Sequence, residues 1–136
     1  MKEPEINATA TAELFVSATD LASALSLDAG DTYPPVFSTS RMIALMEIAS
    51  SRVLQPFLAP GELSVGVHVD AVHTAATPRG IKVTATARYT GREGKLYVFE
   101  VTAHDRGGEI GRATHKRAVV TTERLLAGAD RRNRAG

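Results

Sequence analysis

The sequence contains no cysteine and no tryptophan among its 136 residues, and only 5% of the residues are aromatic. Without cysteine, the chain has no disulfides, no thiolate metal ligands and no cysteine nucleophile, so any catalysis must use oxygen and nitrogen groups. With 43% hydrophobic residues, the core must be built from aliphatic side chains. The net charge of +1 argues against a nucleic-acid binder that contacts phosphates over a broad surface.

Long apolar segments are also missing. No run approaches the roughly 20 apolar residues of a membrane span, and the N-terminus has no apolar stretch of the signal-peptide type. We therefore expect no membrane partner and a cytoplasmic location. The histidines lack the spacing of a metal site, so we expect no metal and no cofactor apart from the substrate itself. The length suits one domain over residues 1–126, followed by a flexible basic tail over residues 127–136, which carries three arginines near its end.

The order of the predicted elements indicates an α+β fold. A first strand is predicted over residues 9–17, and a loop rich in Asp, Gly and Pro follows it. A helix is predicted to begin at Thr39 or Ser40, either of which could cap it, and to end near Gln55 before Pro56. After Gly61 the apolar residues alternate, which predicts four consecutive strands joined by short turns and hence an antiparallel sheet. One face of the first of these strands is expected to carry Val65, Val67, Val69, Ala71 and His73.

Glu47 stands out within the predicted helix. Seven of the eight residues from Met42 to Ala49 are apolar, around the whole circumference, which is typical of a buried helix. A carboxylate there must be paired, lie at the edge of a cavity or take up a proton, because desolvating its charge is costly. Two interpretations remain equal: a functional group, or a structural ion pair with Arg41 or Arg52.

His73 and Thr39 are the other candidates. His73 ends a strand with an apolar face, where a core histidine is the more common case, but small residues follow it and leave room for a ligand. Thr39 lies eight residues before Glu47, so the two side chains could line one cavity at two depths. Thr39 is either a plain helix cap or, if Ser40 caps the helix, a residue that faces a substrate.

Three separated motifs together resemble a known family. They are the stretch from Pro35 to Glu47, the segment His73-x-Ala-Ala-x-Pro78-x-Gly80, and the strand from Gly111 to Ala118. These motifs and the order of elements resemble the hotdog-fold acyl-CoA thioesterases, and most of all the fluoroacetyl-CoA thioesterase group. The resemblance implies a hotdog fold, in which a five-stranded antiparallel sheet wraps one long buried helix.

The resemblance also implies a site. It identifies Thr39, Glu47 and His73 as a catalytic constellation, places Gly66 beside the acyl carbonyl and Arg117 near the pocket, and forms the site between two subunits of a homodimer. Tyr33 and Phe37 are implied to line the acyl pocket. Tyr33 occupies the position of a phenylalanine gate, which makes the pocket more polar, and Arg41 occupies a position that is apolar in that group.

Thioester hydrolysis also fits these residues chemically, since it requires an attacking group or base, a site for the oxyanion and a proton for the leaving thiolate. Glu47 can be the nucleophile or the general base, and backbone N–H groups near Gly66 can hold the oxyanion. The alternative is a non-catalytic hotdog domain that binds acyl-CoA. A hotdog hydratase is disfavoured, because no Asp and His pair is spaced along the helix and its following loop. The acyl group and the choice between dimer and tetramer stay open.

Overall fold

The computed structural model describes residues 3–134. Its five strands form one antiparallel sheet in the spatial order β1, β3, β4, β5, β2, and the sheet curls around helix α1. The elements in chain order are β1 (Thr9–Phe15), α1 (Thr39–Leu54), β2 (Glu62–His73), β3 (Lys82–Glu93), β4 (Leu96–Asp105), β5 (Gly108–Thr121) and α2 (Thr122–Asn133). The predicted hotdog architecture is therefore confirmed.

The N-cap of helix α1 lies one residue before Thr39 and two before Ser40, the two caps that we expected. The hydroxyl oxygen of Ser38 accepts a hydrogen bond from the backbone N–H of Arg41 at 3.1 Å, so Ser38 is the N-cap and the expectation of Thr39 or Ser40 was wrong. The last turn passes into a short 3₁₀ helix over Gln55–Phe57, where Pro56 removes a backbone donor. Because Ser38 caps the helix, the hydroxyl of Thr39 is available for another partner.

The alternation predicted for the strands holds in β3 and changes in β2. In β3 the apolar positions Val83, Ala85, Ala87 and Tyr89 are all fully buried against the core. In β2 a bulge between Gly66 and His68 shifts the register.

The β2 bulge changes which residues face the helix. Residues directly opposite each other on neighbouring strands share a face, and His73, Val69 and Gly66 lie opposite the buried Gly111, His115 and Arg117. The expectation that Val65 shares this face was wrong, since the extra residue of the bulge places Gly66 there instead.

One side of α1 stays open in the single chain. Ile48 is 44% exposed and Glu47 is half-buried, although Met46 and Ala49 beside them are buried. Strand β2 forms an edge of the sheet, and its Val67 and Val72 are each 51% exposed. The single chain therefore leaves Ile48 and Glu47 on one side of α1 and an unpaired strand edge uncovered.

Helix α2 occupies most of the segment that we expected to be a flexible tail. It runs over Thr122–Asn133 and places Arg131 and Arg132 in its last turn, where cations interact favourably with the helix dipole. Residues 135 and 136 lie outside the described range, and the domain boundary at residue 126 stays a prediction. No helix between residues 3 and 134 is long and apolar enough to cross a membrane.

Candidate active site

Thr39 and His73 form a pair at the N-terminus of α1. The hydroxyl oxygen of Thr39 lies 2.8 Å from Nδ1 of His73, although 34 residues separate them in sequence. The helix start supplies Thr39 and the end of edge strand β2 supplies His73, so the sheet topology alone brings them together. The predicted proximity of these two residues is present in the structure.

Two adjoining cavities meet at Thr39. One, of about 400 Å³, is lined among others by Val36, Phe37, Thr39 and His73. The other, of about 320 Å³, is lined among others by Tyr33, Thr39 and Ser40. Phe37 is buried and forms a wall, whereas Tyr33 is half exposed at the surface.

His73 retains an unused nitrogen. Its Nε2 is buried and has no hydrogen-bond partner among residues 3–134. Burial lowers the pKa of His73, and the backbone of Ala75 opposes this shift in part. At neutral pH the ring is therefore an uncharged imidazole, and it offers one nitrogen to a group that the single chain does not supply.

Glu47 lies in a second cluster. Its Oε1 is 3.5 Å from Nη1 of the buried Arg117, and its side chain is 38% exposed. The two structural ion pairs that we weighed for Glu47 do not form, because Arg41 donates to Asp20 and Arg52 donates to the carbonyl oxygen of Thr11. The partner of Glu47 comes instead from β5, 70 residues away.

Gly66 makes room for this carboxylate. A Cβ atom at position 66 would overlap Oε1 of Glu47 and would lie 3.1 Å from Cε1 of His115. Only glycine lets the backbone of β2 approach the carboxylate so closely. Glu47, Gly66 and Arg117 are thus brought together, whereas the resemblance implied a constellation of Glu47 with Thr39 and His73.

His115 belongs to the same cluster, and sequence reasoning missed it. Its Nε2 lies 3.1 Å from Nη1 of Arg117, and its Nδ1 lies 2.8 Å from the carbonyl oxygen of His68. The signal was present, since His115 precedes Arg117 by two residues on an alternating strand and therefore shares its face. Burial lowers the pKa of Arg117, while the nearby charge of Glu47 opposes that shift.

The two clusters are separate within one chain. Thr39 and Glu47 are eight residues apart on α1, which corresponds to about 12 Å along the helix axis. Neither cavity at Thr39 includes Glu47 in its lining. The expectation that Thr39 and Glu47 line one cavity is therefore not met in the single chain.

Comparisons with known proteins show the family of this chain. Residues 16–123 match the family described as FlK, fluoroacetyl-CoA-specific thioesterase. The chain is 44% identical over 104 residues to the fluoroacetyl-CoA thioesterase of Streptantibioticus cattleyicolor, covering 76% of this chain and 75% of that protein.

Solved structures show the same fold. A mutant of FlK in complex with fluoroacetate and CoA superposes with a TM-score of 0.84 at 37% identity, covering 89% of this chain and 98% of that one. A thioesterase superfamily member from Thermus thermophilus superposes with a TM-score of 0.88 at 25% identity, covering 99% and 97% of the two chains.

The sheet wrapped around α1, together with the family match, defines a hotdog-fold acyl-CoA thioesterase. Within that class, the match over residues 16–123 and the 44% identical relative place the chain in the fluoroacetyl-CoA-specific thioesterase family.

Proposed function

We propose that this thioesterase hydrolyses a small acyl-CoA to the free acid and CoA at a site that two copies of the chain share. One copy contributes Thr39 and His73, and the other contributes Glu47, Gly66 and Arg117. The observation that carries the proposal is the buried Nε2 of His73, which lacks a partner among residues 3–134 while Glu47 of the same chain lies beyond its reach.

The edge strand offers the contact that would complete the site. Two copies of β2 can pair about a two-fold axis, which runs them in opposite directions. The end of β2 that carries His73 then lies toward the half of the partner strand that carries Gly66. This pairing also satisfies the unpaired backbone edge of β2 and brings the partner beside the exposed Ile48 on α1, which favours the homodimer as the working unit. A tetramer of such dimers remains compatible with the same site.

The groups present can carry out each step of the hydrolysis. Glu47 either attacks the thioester carbonyl carbon itself or removes a proton from the attacking water. Backbone N–H groups beside Gly66 stabilise the negative charge that develops on the carbonyl oxygen. The C–S bond then breaks, and His73 with Thr39 relays to the CoA thiolate the proton that the water loses. If Glu47 is the nucleophile, this step leaves a mixed anhydride on Glu47, which water hydrolyses to release the acid and regenerate the carboxylate. Water is consumed, and the products are the carboxylic acid and CoA.

The cavities at Thr39 favour a short acyl group. The two cavities, of about 400 and 320 Å³, both adjoin the hydroxyl of Thr39. A short acyl chain and the start of the pantetheine arm would therefore fill them. Acetyl-CoA and fluoroacetyl-CoA are the first substrates to compare. Tyr33 adds a phenol to the wall of one cavity, and we expect it to widen the accepted range toward polar short acyl groups. CoA thioesters of this kind fit a cytoplasmic location.

The direct test is the variant Glu47→Gln, which keeps nearly the same shape and removes the base. We expect hydrolysis, followed as thiol release with a thiol-reactive dye, to fall by about 10²–10⁴-fold. Glu13→Gln is the matched control, since Glu13 lies on β1 and makes an exposed ion pair with Lys82. If the Glu47→Gln protein folds, assembles like the wild type and hydrolyses acyl-CoA at the wild-type rate, the assignment of Glu47 is wrong.

A further inference from the structure

We propose that His115 is a positioning residue that holds the Arg117 guanidinium in place against the carboxylate of Glu47. The proposal rests on the function proposed above for Glu47 and extends the site by one residue on β5. His115 is 1% exposed, so it acts through Arg117 rather than by touching substrate.

The partners of His115 fix which of its nitrogens carries the proton. Nδ1 lies 2.8 Å from the carbonyl oxygen of His68, and a carbonyl can only accept, so Nδ1 donates. Nε2 lies 3.1 Å from Nη1 of Arg117, and a guanidinium can only donate, so Nε2 accepts. Both bonds are made only by the neutral ring with its proton on Nδ1.

The surroundings of His115 keep that ring neutral. Burial lowers the pKa of His115 most, and the hydrogen bond to the His68 backbone opposes this. The charge of Arg117 lowers the pKa further, Glu47 raises it, and the side chain of His68 lowers it slightly. A protonated ring would turn a donor and a positive charge toward Arg117. The charged ring would also attract Glu47, whose Oε1 is 3.9 Å from Nε2 of His115. Protonation would therefore make His115, instead of Arg117, the partner of Glu47.

Arg117 is held from two sides. Ser64 binds one edge of the guanidinium, since its hydroxyl accepts from Nε and its carbonyl oxygen accepts from Nη2, both at 2.9 Å. The other edge, Nη1, reaches His115 at 3.1 Å and Glu47 at 3.5 Å. Without the acceptor on His115, the Nη1 edge would depend on the long contact to Glu47 alone. His115 thus orients the guanidinium of Arg117, which in turn positions the carboxylate of Glu47.

Two substitutions distinguish the hydrogen bonds of His115 from the volume of its side chain. His115→Gln keeps one neutral donor and one neutral acceptor, whereas His115→Leu keeps a similar volume without either. We expect kcat to fall by about 10²-fold in His115→Leu and by less than about tenfold in His115→Gln, with KM little changed in both, because a small misplacement of a reacting group costs that much.

Tyr89→Phe serves as the control for lost stability. It removes a hydrogen bond from a fully buried ring to Glu3 and leaves the hydrogen bonds of His115, Arg117 and Glu47 in place, so it should lower the melting temperature without lowering kcat. If His115→Leu retains the wild-type kcat, or if His115→Gln is as impaired as His115→Leu, the positioning role is refuted.

Nuclear magnetic resonance of ¹⁵N-labelled histidine tests the same inference without substrate. We expect the neutral Nδ1–H form of His115 at pH 7, with a pKa that rises in Arg117→Met and falls in Glu47→Gln. A proton on Nε2 at pH 7 would overturn the proposal even if Glu47→Gln is inactive. Conversely, an active Glu47→Gln variant together with the Nδ1–H form would refute the function assigned to Glu47 and leave the hydrogen-bond network intact.

Discussion

Pairing two inactive chains in one dimer tests whether the active site is shared between subunits. Within one chain, Thr39 and His73 are 2.8 Å apart, whereas Glu47 stands about 12 Å along α1 from Thr39. Proton transfer requires heavy atoms within about 3 Å, directly or through one water. Because the separation of Thr39 from Glu47 exceeds the distance for direct proton transfer, we predict that one chain does not form the complete site and that its partner supplies the missing half.

The expected activity follows from the number of intact active sites in each dimer. In a heterodimer of Glu47→Gln with His73→Ala, one site receives both substitutions and the other receives neither. We expect this heterodimer to show about half of the wild-type kcat per dimer, although each parent homodimer has lost most of its activity. The two chains would be co-expressed with different affinity tags, the heterodimer would be isolated through both tags, and thiol release from a short acyl-CoA would be measured.

A second pair of variants provides the control. Thr39 and His73 lie on the same chain and in the same half of the site, so a heterodimer of Thr39→Ala with His73→Ala carries one defect in each site. This pair should stay as inactive as its parents. If the Glu47→Gln and His73→Ala heterodimer also stays at the level of its parents while remaining a folded dimer, the shared site is refuted.

Further substitutions probe packing and charge. Gly66→Ala should displace the Glu47 carboxylate and lower kcat by about 10²-fold, whereas Gly30→Ala, where an added Cβ meets no atom within 4 Å, should leave kinetics unchanged; an active Gly66→Ala enzyme would contradict the close approach. Asp20→Asn should destabilise the fold by about 2 kcal/mol at pH 7. Burial alone raises the pKa of Asp20, but hydrogen bonds from Ser17 and Arg41 outweigh it and lower the pKa. The stability from this carboxylate is therefore present above the pKa of the unfolded chain, about 3.9, and is lost as the pH falls through the folded value. Melting temperatures of both proteins should converge as the pH falls below about 3.9, and a constant difference down to the folded pKa would show that the charge is not responsible.

The sequence predicted the elements where local patterns are strong. The alternation in β3 and the apolar stretch of α1 both led to the correct element, because a period of two or of 3.6 residues follows directly from backbone geometry. The helix cap and the face of Val65 were predicted wrongly. Ser38, Thr39 and Ser40 are adjacent hydroxyl residues with nearly equal capping ability, and a bulge such as the one at Gly66 depends on pairing with β5, which a single strand does not reveal.

The sequence by itself determined which side-chain groups are available for catalysis in this protein. Without cysteine, and with a lone carboxylate in an apolar helix, it limits the nucleophile or base to groups such as Glu47, and its motifs also brought Thr39, His73, Gly66 and Arg117 into consideration. Only the tertiary structure decided how these groups divide into two clusters. It joins Thr39 with His73 and separates them from Glu47, Arg117 and His115, because the curled sheet sets the end of β2 and the middle of β5 against different turns of α1. These contacts join residues that are 34 or 70 positions apart in the sequence. They depend on strand order and register, and local sequence does not encode either of them.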